Sequence, residues 1–352
     1  MLAIPTNDSR KDAWKILSLL TSSHNVKRLL CGDVYSGRVR WPRTTAGIGI
    51  SSTQIAACIR NAREYFIPSN LVTLKISPLL IYYGALSLAK AMILSSRKQA
   101  SLDSFRHHGL SMVSKKLDDQ SSRKSLKRID ERKAIVKKGV FHQLCDCIQT
   151  PCKLKTEYSL REVLRVTPDI SDIYIRYYNE YSHVVPVSYL CYKPDFDDFG
   201  LSILGLTEHF EAVFPEIVKC TKRIGFDTNS YYHADELSES LDCFLKFIRS
   251  SYGCYSEMIR PLKNGIYMPF ATMQIGLYIL SSLVRYEPDI WIEEVVNDRS
   301  GLRPVIEAYC YTCSTWLPIE ALRSIHCIEY VFHSPGVKVF EDPLSIMNEI
   351  SY

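Results

Sequence analysis

The sequence predicts a predominantly α-helical α+β fold: helical N- and C-terminal regions around a smaller β-containing middle region. Two apolar runs and the order of the segments between them carry that expectation. Ile76 to Leu94 holds a single charge, Lys90, and Phe270 to Val284 holds none. Helices apolar on nearly all sides belong in the centre of a helical core. Between them, Val184, Val185, Val187, Tyr189 and Cys191 cluster or alternate as strand residues do, and Gly200 to Leu206 is their expected pairing partner. Helices, then strands, then helices again is the order of an α+β protein, not of alternating βαβ units.

Taken along the chain, Arg10 to Leu30 reads as a helix, with Trp14, Ile16, Leu17 and Leu20 at helical spacing. Cys31 to Ile50, rich in Gly, Arg, Pro and Thr, reads as a loop or short hairpin. Ser51, Ser52 and Thr53 are caps for a helix through Ile55, Cys58, Ile59, Ala62 and Tyr65, which Pro68 ends. Asn70 to Ser96 gives the first apolar helix, with Pro78 in its first turn or at a kink. Its small-residue face of Leu80, Gly84, Ser87 and Ala91 allows close approach, and 270–284 is the expected partner. From Lys115 the chain turns polar, as a surface connector or helix, and Val140 to Lys153 reads as short, Cys-rich and irregular.

Ser159 to Val166 is a capped helix, Ser-Leu-Arg-Glu matching the capping box, and Pro168-Asp169 begins the next, through Ile173 and Tyr177. After the strands, Pro269 opens the second apolar helix, which Arg285 and Tyr286 close; helix follows over Trp291 to Val296 and Pro304 to Ile325. The expected regions are 1–165, helical with a basic connector at 115–138; 166–265, mixed α/β; and 266–352, helical and packing back on the first.

Apolar and charged fractions of 46% and 23% are those of an ordinary folded protein. The run at 76–94 approaches membrane-spanning length, but Ser77, Pro78, Gly84, Ser87 and Lys90 interrupt it and the mean hydropathy is −0.06. The first residues lack an apolar stretch of signal-peptide length. A cytoplasmic protein without a membrane partner is expected, its twelve scattered cysteines being reduced thiols. The net charge of +5 resides in 115–138, where ten Lys or Arg stand against four Asp or Glu. No Walker A loop, Gly-x-Gly-x-x-Gly or Gly-x-Ser-x-Gly is present, which leaves nucleotide hydrolysis and α/β-hydrolase chemistry without support.

Three groups of residues carry candidate chemistry. Lys90, a base near a helix end, and Arg106, His107 and His108 form a candidate anion or nucleic-acid site, extended by Lys124, Lys127 and Arg128 in the basic segment. Tyr174, Tyr177, Tyr178 and Tyr181 are nearby stacking candidates, although Tyr174, Tyr177 and Tyr181 form a stripe at helical spacing, the pattern of a core. Arg176 and His183, with Asn179 between them, have the Arg-x6-His spacing of metal-independent ribonucleases of the HEPN type. There a base activates the ribose 2′-hydroxyl and a cation stabilises the phosphorane. Tyr177 stands where that superfamily often has a polar residue, and a strand-like Val-Val-Pro-Val follows His183. His142, Cys145, Cys147 and Cys152, and Cys310-x-x-Cys313 with His326-Cys327, depart from zinc-knuckle spacing. Neither a metal nor a cofactor is expected.

Several of these elements together resemble the YaaC-like family of bacterial proteins. The resemblance rests on Pro78-Leu79-Leu80-Ile81-Tyr82-Tyr83-Gly84 through Leu88-Ala89-Lys90-Ala91, then on His108-Gly109-Leu110. It continues through Tyr158-Ser159-Leu160 to Pro168-Asp169, and ends on Arg285-Tyr286-Glu287-Pro288 with Trp291. These occur in one order across roughly residues 60–325. The Tyr-Tyr-Gly…Leu-Ala-Lys-Ala helix is similar to the second helix of HEPN domains, and members look like components of bacterial genome-defence loci. The resemblance implies an antiphage or toxin-like role, or a subunit of a multiprotein complex. The leading expectation is a non-catalytic helical subunit of a multiprotein antiphage complex, whose partners are other subunits encoded in the same operon, further copies of the chain, or nucleic acid. The alternatives are a HEPN-like ribonuclease using Arg176 and His183 and a nucleic-acid-binding sensor.

Overall fold

The computed structural model describes residues 2–32, 46–96, 100–113, 128–191, 199–204, 206–226, 229–234, 247–249 and 256–335. The fold is predominantly helical α+β. Strand β1 (Leu2–Pro5) is followed by helices α1 (Ser9–Leu17), α2 (Ser23–Cys31), α3 (Ile48–Ser69) and α4 (Ser77–Ser96). The expected single helix over 10–30 is broken. The hydroxyls of Ser18 and Thr21 bond the carbonyls of Trp14 and Ser18, both at 2.7 Å, tightening the chain into a 3-10 turn before Ser22 takes an extended conformation.

Helix α4 is the centre of the molecule. Ile81, Tyr82, Ala85, Leu88, Ala89, Met92 and Ile93 are all buried, so burial extends around the helix. It is long and apolar enough to cross a membrane, yet 67% of its apolar window is buried inside the protein itself. Its neighbours are α3, then α10 (Pro269–Tyr286) and α12 (Arg303–His326) once the chain returns. Gly84, expected to face 270–284, faces α3 instead: a Cβ there would lie 2.6 Å from the Phe66 ring. Phe66 claims the notch because its flat ring fills what a missing side chain leaves. The small residue of α10, Gly276, in turn receives Tyr309 of α12, whose hydroxyl donates to the Met273 carbonyl at 2.7 Å.

Strands β2 (Leu110–Met112), β3 (Lys133–Val136) and β4 (Glu157–Ser159) form a three-stranded antiparallel sheet. Between β3 and β4 the segment expected to be irregular holds helix α5 (Val140–Cys147). Val140, Phe141, Leu144 and Cys145 recur at helical spacing and bury one face of it. Helix α6 (Leu160–Arg165) starts at the expected capping box, Ser159 and Glu162 bonding each other's backbone N–H. Helix α7 (Ser171–Tyr178) ends at Asn179 in a left-handed conformation.

The middle region holds β5 (Val184–Cys191), β6 (Phe199–Ile203), α8 (Thr207–Val213), α9 (Pro215–Cys220), β7 (Lys222–Phe226), β8 (Asn229–Ala234), β9 (Phe247–Arg249) and β10 (Ser256–Ile259). Its six strands make an antiparallel sheet in the order β7-β8-β6-β5-β10-β9, with the expected β5–β6 pairing. It carries its own small core of Val185, Val187, Ile203, Phe210, Phe214, Ile217 and Met258, separate from the large helical one. After α10, a short helix α11 (Pro288–Trp291), a π-helical turn and α12 lead to β11 (Tyr330–His333), which pairs in parallel with β1.

Candidate anion-binding site

Three elements converge beside α4. Tyr82, Tyr83 and Lys90 come from α4, His108 from the loop before β2, Tyr65 from α3, and Tyr278 and Arg285 from α10. The Arg285 guanidinium donates to the Tyr83 hydroxyl at 2.9 Å and to the Ser281 carbonyl at 3.2 Å. It also lies 5.7 Å from the Tyr83 ring centroid and 4.9 Å from that of Tyr286, within cation–π range. Tyr65 stacks on Tyr83 with centroids 5.7 Å apart, and Tyr278 meets Tyr82 edge-on at 5.7 Å.

Tyr82 Oη lies 2.6 Å from Nδ1 of His108, and the two rings stack at 5.8 Å. Tyr82 is fully buried, and burial raises its hydroxyl far above the ordinary tyrosine value, so it stays protonated and donates. With the tyrosine assigned as the donor, His108 accepts at Nδ1 and carries its proton on Nε2. Burial first, then the charges of Arg285, Lys90 and His107, hold His108 below the ordinary histidine value, so the ring is neutral near pH 7.

The histidine turn is held in place by its backbone. The N–H groups of Val140 and Phe141, at the start of α5, donate to the carbonyls of His107 and His108 at 3.0 and 2.9 Å. Gly109 has φ +85, and a Cβ there would stand 2.8 Å from the Phe141 nitrogen, so this position needs glycine. Arg106 and His107 are exposed beside the turn, and Lys90 is half-buried. Among the described residues neither Lys90 nor Arg285 has a carboxylate within ion-pair distance; the nearby Glu287 is held by Arg132 instead. The Lys90 ammonium also reaches Cys58, whose thiol burial pushes up to about 11 against that charge. The result is a tyrosine-lined patch of cations whose charge is not neutralised locally.

The remaining expected site residues fall elsewhere. Lys124 and Lys127 lie outside the described residues. Arg128 is not a free cation, since Asp130 and Glu131 pair with it at 3.0 and 3.2 Å. Arg176 is exposed and bonded to Asp172 at 2.9 Å, whereas His183 lines a cleft that Arg176 does not reach. The two are not brought together because α7 ends at Asn179 and the chain turns into β5 before His183. In the tyrosine stripe Tyr174 is buried and Tyr181 stacks on His209 at 4.9 Å. Cys310 and Cys313 are buried within α12, and no group of three His, Cys, Asp or Glu is placed to hold a metal among the described residues.

The YaaC-like protein family matches the chain over residues 22–325. The chain belongs to the YaaC-like family. None of the curated proteins and none of the solved structures compared matches it. Part of the residues on which the YaaC-like resemblance rests come together here from distant parts of the sequence: Tyr82-Tyr83, Lys90, His108-Gly109 and Arg285-Tyr286 form the patch. From the sequence Lys90 and the histidines stand out as a site, whereas Arg285 and the tyrosine pair stand out only as helix residues and as part of the family resemblance. The available signal was a lone cation toward the end of each of the two otherwise apolar helices.

Proposed function

We propose that this YaaC-like chain is a non-catalytic helical subunit of a bacterial antiphage defence complex, working in the cytoplasm, and that its patch of Lys90, His108 and Arg285 contacts the phosphates of a nucleic acid. One observation carries the reading: three cationic or N–H-donating groups from separate elements converge without a carboxylate to neutralise them. Such a patch attracts phosphate and releases counterions when it binds. Tyr82 occupies Nδ1 of His108, which leaves that ring with a donor and no free base nitrogen, a binding arrangement rather than a proton-abstracting one. Tyr65 and Tyr83 add aromatic surface beside the cations.

The test is binding of labelled single-stranded RNA and DNA to the purified chain over a salt series, together with phage challenge of cells carrying the whole operon. The K90A/R285A double variant is expected to lose at least tenfold in affinity, to flatten the salt dependence and to lose protection. Unchanged binding and unchanged protection would refute the reading. Metal-independent RNA cleavage abolished by both Arg176→Ala and His183→Ala would replace it with a ribonuclease.

A further inference from the structure

A second polar site lies about the start of the middle region, independent of the patch on α4. Arg165 at the end of α6, His183 before β5 and Arg260 after β10 are stitched side by side by their backbones. The His183 N–H donates to the Arg165 carbonyl at 2.7 Å, and the Arg260 N–H donates to the His183 carbonyl at 2.8 Å. All three side chains line one cleft of about 730 Å³, with Ile175, Tyr181 and Val213 among its walls. That volume is in the range that accepts a small organic ligand.

The charges around the cleft are unevenly matched. Glu180 is held by Arg161 at 2.9 Å and by the Tyr174 hydroxyl, and Arg260 forms a two-pronged pair with Glu216 at 3.0 and 2.9 Å. Arg165 makes no ion pair among the described residues; its Nε donates to the Tyr181 carbonyl at 3.0 Å. His183 faces Arg165, Arg260, Glu180 and His209. Burial and the two arginines push it down to about 4, Glu180 opposing them. The cleft thus presents an arginine fork that makes no ion pair, beside an imidazole kept neutral by burial and neighbouring positive charge. Glu180 on the same wall is engaged by Arg161 and Tyr174, though its charge is also felt by Arg165.

We propose that this cleft binds a phosphate monoester of small-molecule size, with the phosphate on Arg165 and His183 and the organic part against Ile175, Tyr181 and Val213. A tetrahedral dianion with three terminal oxygens matches an arginine fork plus an imidazole donor better than a planar carboxylate does. A phosphate group alone fills only a small part of the volume, so the remainder takes the esterified group. Arg260, already tied to Glu216, forms the wall that keeps His183 in register. A bound dianion adds its negative charge to that of Glu180 beside His183, so binding draws a proton onto the ring.

The experiment uses the full chain carrying Lys90→Gln and Arg285→Gln, so that the patch on α4 does not contribute. Adenosine monophosphate, inorganic phosphate and succinate are titrated calorimetrically at pH 6. Adenosine monophosphate is expected to bind at least tenfold more tightly than the other two, and Arg165→Gln is expected to weaken it at least tenfold. Ala212→Trp, at an exposed position on the cleft wall, is expected to block binding while leaving the circular dichroism spectrum unchanged. The His183 ring signals, identified by their loss in His183→Asn, are expected to move their titration midpoint up by a pH unit or more on saturation. The proposal is overturned by any of four results: no binding of adenosine monophosphate; succinate or inorganic phosphate binding as tightly; full affinity in both Arg165→Gln and Ala212→Trp; or an unmoved His183 midpoint.

Discussion

Tyr82 of the central helix and His108 of the loop before β2 share a 2.6 Å hydrogen bond, which with the tyrosine assigned as donor places the histidine's proton on Nε2. The bond joins a residue that cannot ionise at ordinary pH to one that can. It ties the state of the patch to the packing of the core.

Replacing Tyr82 with Phe tests that tie. The donated bond favours neutral His108, so its loss lets the ring take up a proton more readily. The His108 midpoint should rise by about 0.7 pH unit, the worth of a ~1 kcal/mol bond. Stability should fall by about 0.5–1.5 kcal/mol, because the rings are nearly isosteric. Histidine NMR titration and urea unfolding measure the two; an unmoved or lowered midpoint would show that the bond does not control His108.

Gly84→Ala places a methyl group 2.6 Å from the Phe66 ring and should cost about 1–3 kcal/mol through overpacking. Phe66→Leu in the same chain should cost less in the Gly84→Ala background than in wild type, because the smaller side chain relieves the clash. Additive costs in a double-mutant cycle by chemical unfolding would place Gly84 against another neighbour.

His183 gives stability a pH dependence. Its folded value, about 4, lies below the ordinary 6.5, so the unfolded chain binds more protons between those limits and stability falls as pH drops through that window. The part of this loss owed to His183 should be about 1–2 kcal/mol after allowance for partial solvent screening. His183→Asn should therefore lose that much less than wild type between pH 7 and pH 4.5 in urea unfolding. Equal losses would mean that the ring is already solvated in the folded protein.

How far the sequence could be read follows from the range over which each signal acts. The Ser159–Glu162 capping box and the start of α10 at Pro269 were legible because their bonds close within a few residues. Helix α5 was missed although its apolar spacing is regular: three cysteines and two charges over 140–153 obscured the pattern, and its first N–H groups bond to a turn 33 residues upstream. The Arg176–His183 spacing suggested a shared site, but a helix end and a strand start separate the two in direction. The cations that neighbour His183 are Arg165 and Arg260, across backbone bonds that no local spacing reveals.

The apolar run from Ile76 to Leu94 by itself determined that a helix would lie in the centre, since its surface is unfavourable in water on almost every side. Its lone Lys90 and the following His107-His108-Gly109 likewise marked a place of possible chemistry without reference to any partner. What covers the helix was decided only by tertiary packing. Phe66 rather than 270–284 fills the Gly84 notch, and Arg285 reaches Tyr83 across 202 residues of sequence. Hydrophobicity is a property each residue carries with it, whereas the matching of one surface to another exists only after the chain has folded.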